Sequence, residues 1–274
     1  MPKSVFTFPP AAVALVVLTM ASGCGGSGGS GGPGGSGGGA SGHAASAPPA
    51  ATTAGPGAAA SGRPLPQGSQ PVPLDPANFT ATIDNPYWPM RPGSRWRYRE
   101  GKARDEVTVM NGTKMIAGIE SRIVRDVLTE DGRVVEDTYD WYVQDGDGNV
   151  WYMGEATKEF EEGKPPSTKG SWEAGVDGAQ PGVIVPAHPR PGVAYRQEYY
   201  RGQAEDAGQI LALDQHVRVP YGSFDHTLQT KDYSPLEPKL IEQKFYAPGV
   251  GPVLAVTVAG GSDKEELLSY TKGS

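Results

Sequence analysis

The groups best able to do chemistry are concentrated in DTYDWYVQDGDGNVWYMGE, Asp137 to Glu155, where Asp137, Asp140, Asp145, Asp147 and Glu155 are interleaved with tyrosines and tryptophans. One chemistry open to this stretch is cation binding. Asp145, Asp147 and Asn149 space oxygen ligands as a calcium loop does, so calcium is the one alternative to having no cofactor. An EF-hand is excluded, because a loop starting at Asp145 requires glycine at its sixth position and a carboxylate at its twelfth, which are Val150 and Ala156. The other chemistry is acid–base. Asp140 stands between Tyr142 and, diagonally, Tyr152, and a carboxylate among phenols can hold a cation or a hydroxyl, or act as a base if its pKa is raised.

The same residues also make a plain hairpin, and that is the preferred reading. Asp147-Gly148 suits a type I turn closed by a left-handed residue, which pairs Asp145 with Asn149, Val143 with Trp151 and Trp141 with Met153. Tyr139, Trp141, Val143, Trp151 and Met153 then form a core face. Thr138, Asp140, Tyr142, Gln144, Val150 and Tyr152 form a second face, turned to solvent or to the concave side of a half barrel. Any ligand of this hairpin would meet Asp140, Tyr142 and Tyr152.

Other constellations are sparser. RQEYYRGQAED, Arg196 to Asp206, brings Arg196 and Glu198 to a strand–turn–strand that either lines a polar pocket or is an exposed hairpin with cross-strand charge pairs. A hydrolase would use Asp140, Glu155 and Glu198, with two carboxylates roughly 5–10 Å apart in one cleft if glycosides were the substrate. His188, His216 and His226 lie in no nucleophile motif, although His216 and His226 fall on adjacent predicted strands and can pair across them. The chain has no G-x-S-x-G, H-E-x-x-H, P-loop or helix-opening G-x-G-x-x-G.

The elements that must position these residues are strands. Apolar residues alternate in RWRYRE, EVTVM, SRIVRDVLTE and VAYRQEYY, and MNGT, EDGR, DGDG, YRGQ and PYGS supply turns between them. That rhythm predicts a mainly β fold, an antiparallel meander forming a half-open or closed barrel with little helix. Ala204 to Leu213 reads equally as helix or strand, and Gly163 to Pro191 reads as a Gly/Pro-rich irregular insertion.

The chain opens with Lys3 and the apolar run AAVALVVLTM, ten residues, short of the roughly 20 that span a bilayer. ASGC, ending at Cys24, is similar to the lipobox of bacterial lipoproteins, although Ala21 stands where leucine is commonest. The similarity implies a signal peptide over 1–23 and fatty acyl chains such as palmitate on Cys24. A lone cysteine also excludes an intramolecular disulfide. Gly25 to Gly62 holds only Gly, Ala, Ser, Pro and Thr besides His43, the composition of a flexible tether, taken here as 24–74, with a single β domain over 75–274. Removing Lys3 and Arg63 from the 24 basic residues leaves 22 against 31 acids in that domain, a balance that argues against nucleic acid and against docking on anionic lipid.

Two segments carry a resemblance. NPYWPMRPGSRWRY, Asn85 to Tyr98, resembles the NPY-x-PL-x-PG-x-x-W-x-Y opening of a group of uncharacterised bacterial exported and lipid-anchored β-domains, and KFYAPGVGPVLAVTV resembles their closing YYAPGVGLV. A more distant similarity is to half-barrel envelope lipoproteins that hold an apolar ligand against a curved sheet. The resemblance implies fold and location, and no reaction. The expected function is therefore a cell-envelope lipoprotein that binds a small molecule, a lipid or an envelope partner without catalysis. The membrane would be its partner through Cys24 on the extracytoplasmic side, the outer membrane where the host has two, since no aspartate follows the cysteine. A secreted hydrolase and a calcium-binding envelope protein are the alternatives.

Overall fold

The computed structural model describes residues 64–274; the export segment, Cys24, His43 and the Gly-rich tether up to residue 63 lie outside the described residues. After a short 3-10 turn at Pro76–Asn78, every element is a strand: β1 Phe79–Thr80, β2 Arg95–Glu100, β3 Ala103–Ile116, β4 Ile119–Glu130, β5 Arg133–Asp145, β6 Val150–Glu159, β7 Trp172–Glu173, β8 Gln180–Val185, β9 Ala194–Arg196, β10 Glu198–Tyr199, β11 Ala207–Val219, β12 Gly222–Tyr233, β13 Ile241–Ala247, β14 Gly251–Ala259 and β15 Lys264–Thr271. All pairings are antiparallel. The sheet runs β10-β8-β6-β5-β4-β3-β2-β15-β14-β13-β12-β11-β9, with β1 added to β5 and β7 to β6.

The two edge strands, β9 and β10, are separated in the chain by Gln197 alone, so one stretch of backbone carries both edges. Ala194 to Arg196 pairs with β11, and Glu198 to Tyr199 pairs with β8. The result is a nearly closed barrel of thirteen strands with one seam, at Gln197. Closure is the usual answer of an antiparallel sheet to its exposed edges.

Ala204 to Leu213 resolves as strand, because β11 begins at Ala207 and alternate residues Gly208 and Ile210 bury into the barrel. The segment Gly163 to Pro191 is a correction to the sequence expectation. It contains β7 and β8, and Val183, Ile184 and Val185 are buried in the core, so much of it is wall. The tether boundary also moves. Leu65, Val72 and Leu74 pack on the core, and Arg196 N–H donates to Pro66 O at 2.7 Å, so residues 64–74 belong to the folded body as a strap over the seam.

The turn at Asp145 to Asn149 forms as the sequence predicts, with Gly148 left-handed at φ +92° and its N–H donating to Asp145 O. Val143 pairs with Trp151, but Trp141 pairs with Gly154 where Met153 was expected, because a bulge between Trp141 and Tyr142 shifts the register. The cause is local. Gly154 has φ +128°, and a Cβ there would collide with the Trp172 carbonyl, so the bulge falls where only glycine lets β7 approach.

The faces differ from expectation too. Tyr139, placed on the core face, is 37% exposed, whereas Asp140, at 2%, turns into the barrel with Thr138, Tyr142 and Tyr152. Trp141 and Trp151 are buried as expected, but outside the lumen. Phe79 meets Trp151 edge-on at 5.8 Å, and Lys114 Nζ lies 3.4 Å above the Trp141 ring. From Asp140 to Val143 on β5 and from Val150 to Glu155 on β6 both faces are thus covered, one by the lumen and one by the lead-in and its neighbours. Each large apolar side chain so buried contributes about 1.5–3 kcal/mol relative to exposure.

Candidate functional site

Inward positions alternate along each strand, and the registers stack them into two layers. One layer is aromatic and aliphatic: Trp88 lies 5.4 Å from Tyr142 and 6.1 Å from Tyr246, with Trp96, Val107 and Val253 also buried. The layer nearer the β2–β3, β4–β5 and β14–β15 turns is acidic. On β3 and β4 the inward residues are Asp105 and Asp126, on β5 Glu136 and Asp140, on β6 Glu155 and on β15 Glu265, all buried. Asp232 on β12 and half-buried Glu242 on β13 continue the belt. Glu198 and Asp206 bring it to the seam. Among the described residues only Lys244 and Arg196 are buried cations.

Burial, and then mutual repulsion, governs the charge of this belt. Desolvation pushes Asp140, Glu155 and Glu198 well above the usual carboxylate range, and neighbouring acids raise them further: Asp126 and Glu136 act on Asp140, Asp140 and Glu136 on Glu155, and Asp206 and Glu155 on Glu198. Tyr152 Oη donates to Asp140 Oδ1 at 2.6 Å, which opposes that shift in part. Asp105 and Asp126 are likewise raised by burial. With both ionised, neither oxygen of Asp105 has a donor; with a proton on Asp126 the two carboxyls hydrogen-bond to each other. Asp206 is raised by burial to about 7, with Ser234 and Lys244 pulling the other way. Lys244 is lowered by desolvation, but Asp232, 3.2 Å away, and Glu242 more than offset it and hold the amine charged.

The belt opens at the seam into a cleft of about 650 Å³. Its walls include Arg196, Glu198, Tyr199, Asp206, Lys231 and Tyr233, and its rim is formed by Gln67, Gly68 and Ser69 of the strap. Arg196 turns its guanidinium to backbone carbonyls: Nη1 donates to Gly68 O and Gln70 O at 2.8 and 2.7 Å, and Nη2 to Pro181 O at 2.7 Å. With no carboxylate beside it, burial lowers its pKa to about 10.

The structure therefore sorts the sequence candidates. Asp140, Glu155 and Glu198 are brought together, and Asp140 directly opposes Glu155 across β5 and β6. Tyr142 and Tyr152 stack at 5.0 Å, but inside the packed barrel. Arg196 and Glu198 are not an exposed hairpin; both are buried at the seam. Asp145 is consumed by its turn. Its Oδ1 accepts from the N–H of Asp147 and Asn149, and its Oδ2 from Asn149 Nδ2 and Trp151 Nε1. His216 and His226 do not pair with each other; they reach Asp225 and Asp214 at 2.7 and 2.8 Å on the surface. Among the described residues, no group of three or more His, Cys, Asp or Glu is placed to hold a metal ion.

The residues missed from sequence are Asp105, Asp126, Asp206, Asp232, Lys244 and Glu265. For three of them a signal was present: Asp105 in ARDEVTVM, Asp126 in SRIVRDVLTE and Glu265 in KEELL each stand at an inward position among alternating apolar residues.

No family model matches the chain, and no curated protein does. A solved structure described as a "putative lipoprotein" from Parabacteroides distasonis aligns with 68% of this chain and 98% of its own, at 11% identity and a TM-score of 0.37. A likeness that loose carries no argument about fold or function.

Proposed function

We propose that this chain is a cell-envelope lipoprotein whose barrel binds a small molecule in the seam cleft without catalysis. The observation that supports the reading is the cleft itself, about 650 Å³, which falls within the usual range for small-ligand sites and lies where the barrel wall is interrupted. The remaining lumen is filled by side chains, as in small barrels generally, so the seam is the entry the fold leaves open. Anchoring through Cys24 follows from the lipobox-like ASGC, and Cys24→Ala should release the protein from the membrane fraction. A melting-temperature screen of the full chain against sugars, amines, carboxylates and lysolipids tests the binding reading, since a ligand of the native state alone must raise its stability. The reading requires at least one class to raise the melting point and Tyr233→Ala to abolish the rise; a panel with no effect defeats it.

A hydrolase is favoured by one observation, that Glu198 and Asp206 both border the cleft. Release of chromophore from aryl glycosides or esters, lost in Glu198→Gln, is the outcome that reading requires.

A further inference from the structure

We infer that the outer wall of the barrel opposite the seam, formed by β15, β2, β3 and β4, docks on the anionic headgroups of a bilayer and turns the seam cleft away from it.

The wall is basic although the domain is acidic. On β2, Arg95, Arg97 and Arg99 point outward between the buried Trp96 and Tyr98. The registers set Arg104 of β3 beside Arg99, and Arg125 of β4 one strand beyond Arg95 across Thr108. Lys264 of β15 completes the patch, two residues before Glu266, which faces Arg99. These cations share few carboxylates. Glu106 serves both Arg95 and Arg97, at 3.5 and 2.6 Å, and Glu266 serves both Arg99 and Lys264, at 3.1 and 2.7 Å. Arg125 pairs with Asp137 at 2.8 Å, whereas Arg104 turns Nη1 to the Ala103 carbonyl at 2.7 Å. The paired side chains stay 40–56% exposed, so these are weak surface contacts into which further anions can enter.

An apolar strip borders this patch. Across the β14–β15 ladder the half-buried Val256 faces Lys264 and the half-buried Leu254 faces Glu266, and Val258 is 49% exposed. A basic strip beside an apolar one suits a membrane interface, where each Lys or Arg near anionic lipid contributes about 1 kcal/mol and buried apolar area adds to it.

The acidic balance of the whole domain does not oppose the contact. Asp105, Asp126, Asp140, Glu155, Glu198 and Glu265 are inside the barrel, where burial favours their protonated forms. Acids on the far walls lie across a barrel of thirteen strands, wider than the screening length of about 8 Å at physiological ionic strength.

Strand order sets the orientation. β2 is the seventh of thirteen strands, and β9 and β10 are the first and last, so the wall faces the seam across the barrel. A ligand would then enter the cleft from the compartment and not from the lipid. Residues 25–63 reach at most about 130 Å when fully extended, enough to run from an anchor at Cys24 round the barrel to the strap. The contact is weak by itself, and the anchor makes it effective by holding the wall near the lipid. A chain without the anchor therefore still leaves the membrane on dilution.

The test uses the chain from residue 24 onward with Cys24→Ser, so that no acyl group contributes and no cleft ligand is needed. It is sedimented with vesicles of phosphatidylcholine, alone or mixed with phosphatidylglycerol. At about 0.1 M salt it should partition at least tenfold more strongly onto the anionic vesicles, and the difference should vanish at about 1 M, where the screening length is about 3 Å. Replacing Arg95, Arg97 and Arg99 together by Gln should abolish the difference, whereas the same change at Arg190, Arg201 and Lys239, exposed in connections between other strands, should alter it less than twofold. In otherwise unaltered barrels, an environment-sensitive fluorophore on Thr108→Cys should shift to the blue on anionic vesicles, and one on Ser234→Cys in the cleft should not. Equal partition onto both vesicles, equal losses in the two triple variants, or a shift at Ser234 without one at Thr108 overturns the inference. So does self-association of the free chain that the Arg95, Arg97 and Arg99 replacements remove, which would give the wall to a second copy.

Discussion

Asp140 shows how burial changes what a residue is for. A carboxylate on a solvated strand tolerates removal, but here the Asp140 carboxyl accepts the Tyr152 hydroxyl inside the barrel, and burial pushes its pKa well above the usual carboxylate range. Asp140→Asn keeps an acceptor without a charge, and should leave the melting temperature within a degree or two of wild type. Asp140→Val strands the Tyr152 hydroxyl and should cost about 1–3 kcal/mol in denaturant titrations. Trp141→Ala, by contrast, removes a buried ring beneath Lys114 and should cost about 3–5 kcal/mol. At the neighbouring turn, Asp145 uses both oxygens on four donors of its own chain. Added calcium should therefore leave the melting temperature unchanged, and a calcium-dependent rise lost in Asp147→Ala would show that the loop binds the ion after all.

The strap over the seam, residues 64–74, is the element whose position depends most on a single side chain. Its own backbone makes no strand pairing, and Arg196 alone gives it three contacts, through its backbone N–H and through Nη1 to Gly68 and Gln70. Hydrogen bonds to a charged group are worth about 1.5–3 kcal/mol each when made, and the Arg196 burial cost offsets part of that. Arg196→Met should keep the stem's packing and lose the clamp. Limited proteolysis should then cut between Pro66 and Pro71 many-fold faster, while the barrel melts within a few degrees of wild type. Protection equal to wild type would show that the guanidinium is not what holds the strap.

For the molecule as a whole, the acidic belt dictates an unusual pH dependence. Unfolded, its carboxyls ionise near pH 4. Folded, Asp105, Asp126, Asp140, Glu155, Glu198 and Glu265 keep their protons well above that, and Asp206 does so to about 7. The native state therefore binds more protons than the unfolded state. The stability these groups contribute is fully present below about pH 4 and is lost as pH rises through their folded values. Each group titrating in a given interval removes about 1.4 kcal/mol per pH unit. The melting temperature should accordingly fall from pH 5 to pH 8, and Asp206→Asn should reduce the slope between about pH 4 and pH 7. A melting temperature that climbs over that range would mean that the belt is ionised and paired.

Strand content, antiparallel order and barrel class follow from local properties that a chain displays in one dimension. The alternation in SRIVRDVLTE needs one buried face, and Gly148 needs a left-handed turn, whatever lies around them. The grouping of Asp140, Glu155 and Glu198 was legible as residue types but not as a place. What alternation cannot say is which face looks into the barrel and which is covered by other chain, and for β5 and β6 both were covered, so Asp140 and Trp141 are buried on opposite sides. The bulge opposite Trp141 depends on β7 arriving against Gly154, and the wall role of Val183 to Val185 depends on β6 as a partner. Above all, the acidic belt exists only once the sheet curls round. Asp105, Asp126, Glu198 and Glu265 are far apart in sequence and each is unremarkable in its own strand; closure of the barrel removes their water together and makes one polar interior of them, because desolvation is a property of the enclosed volume and not of any segment that lines it.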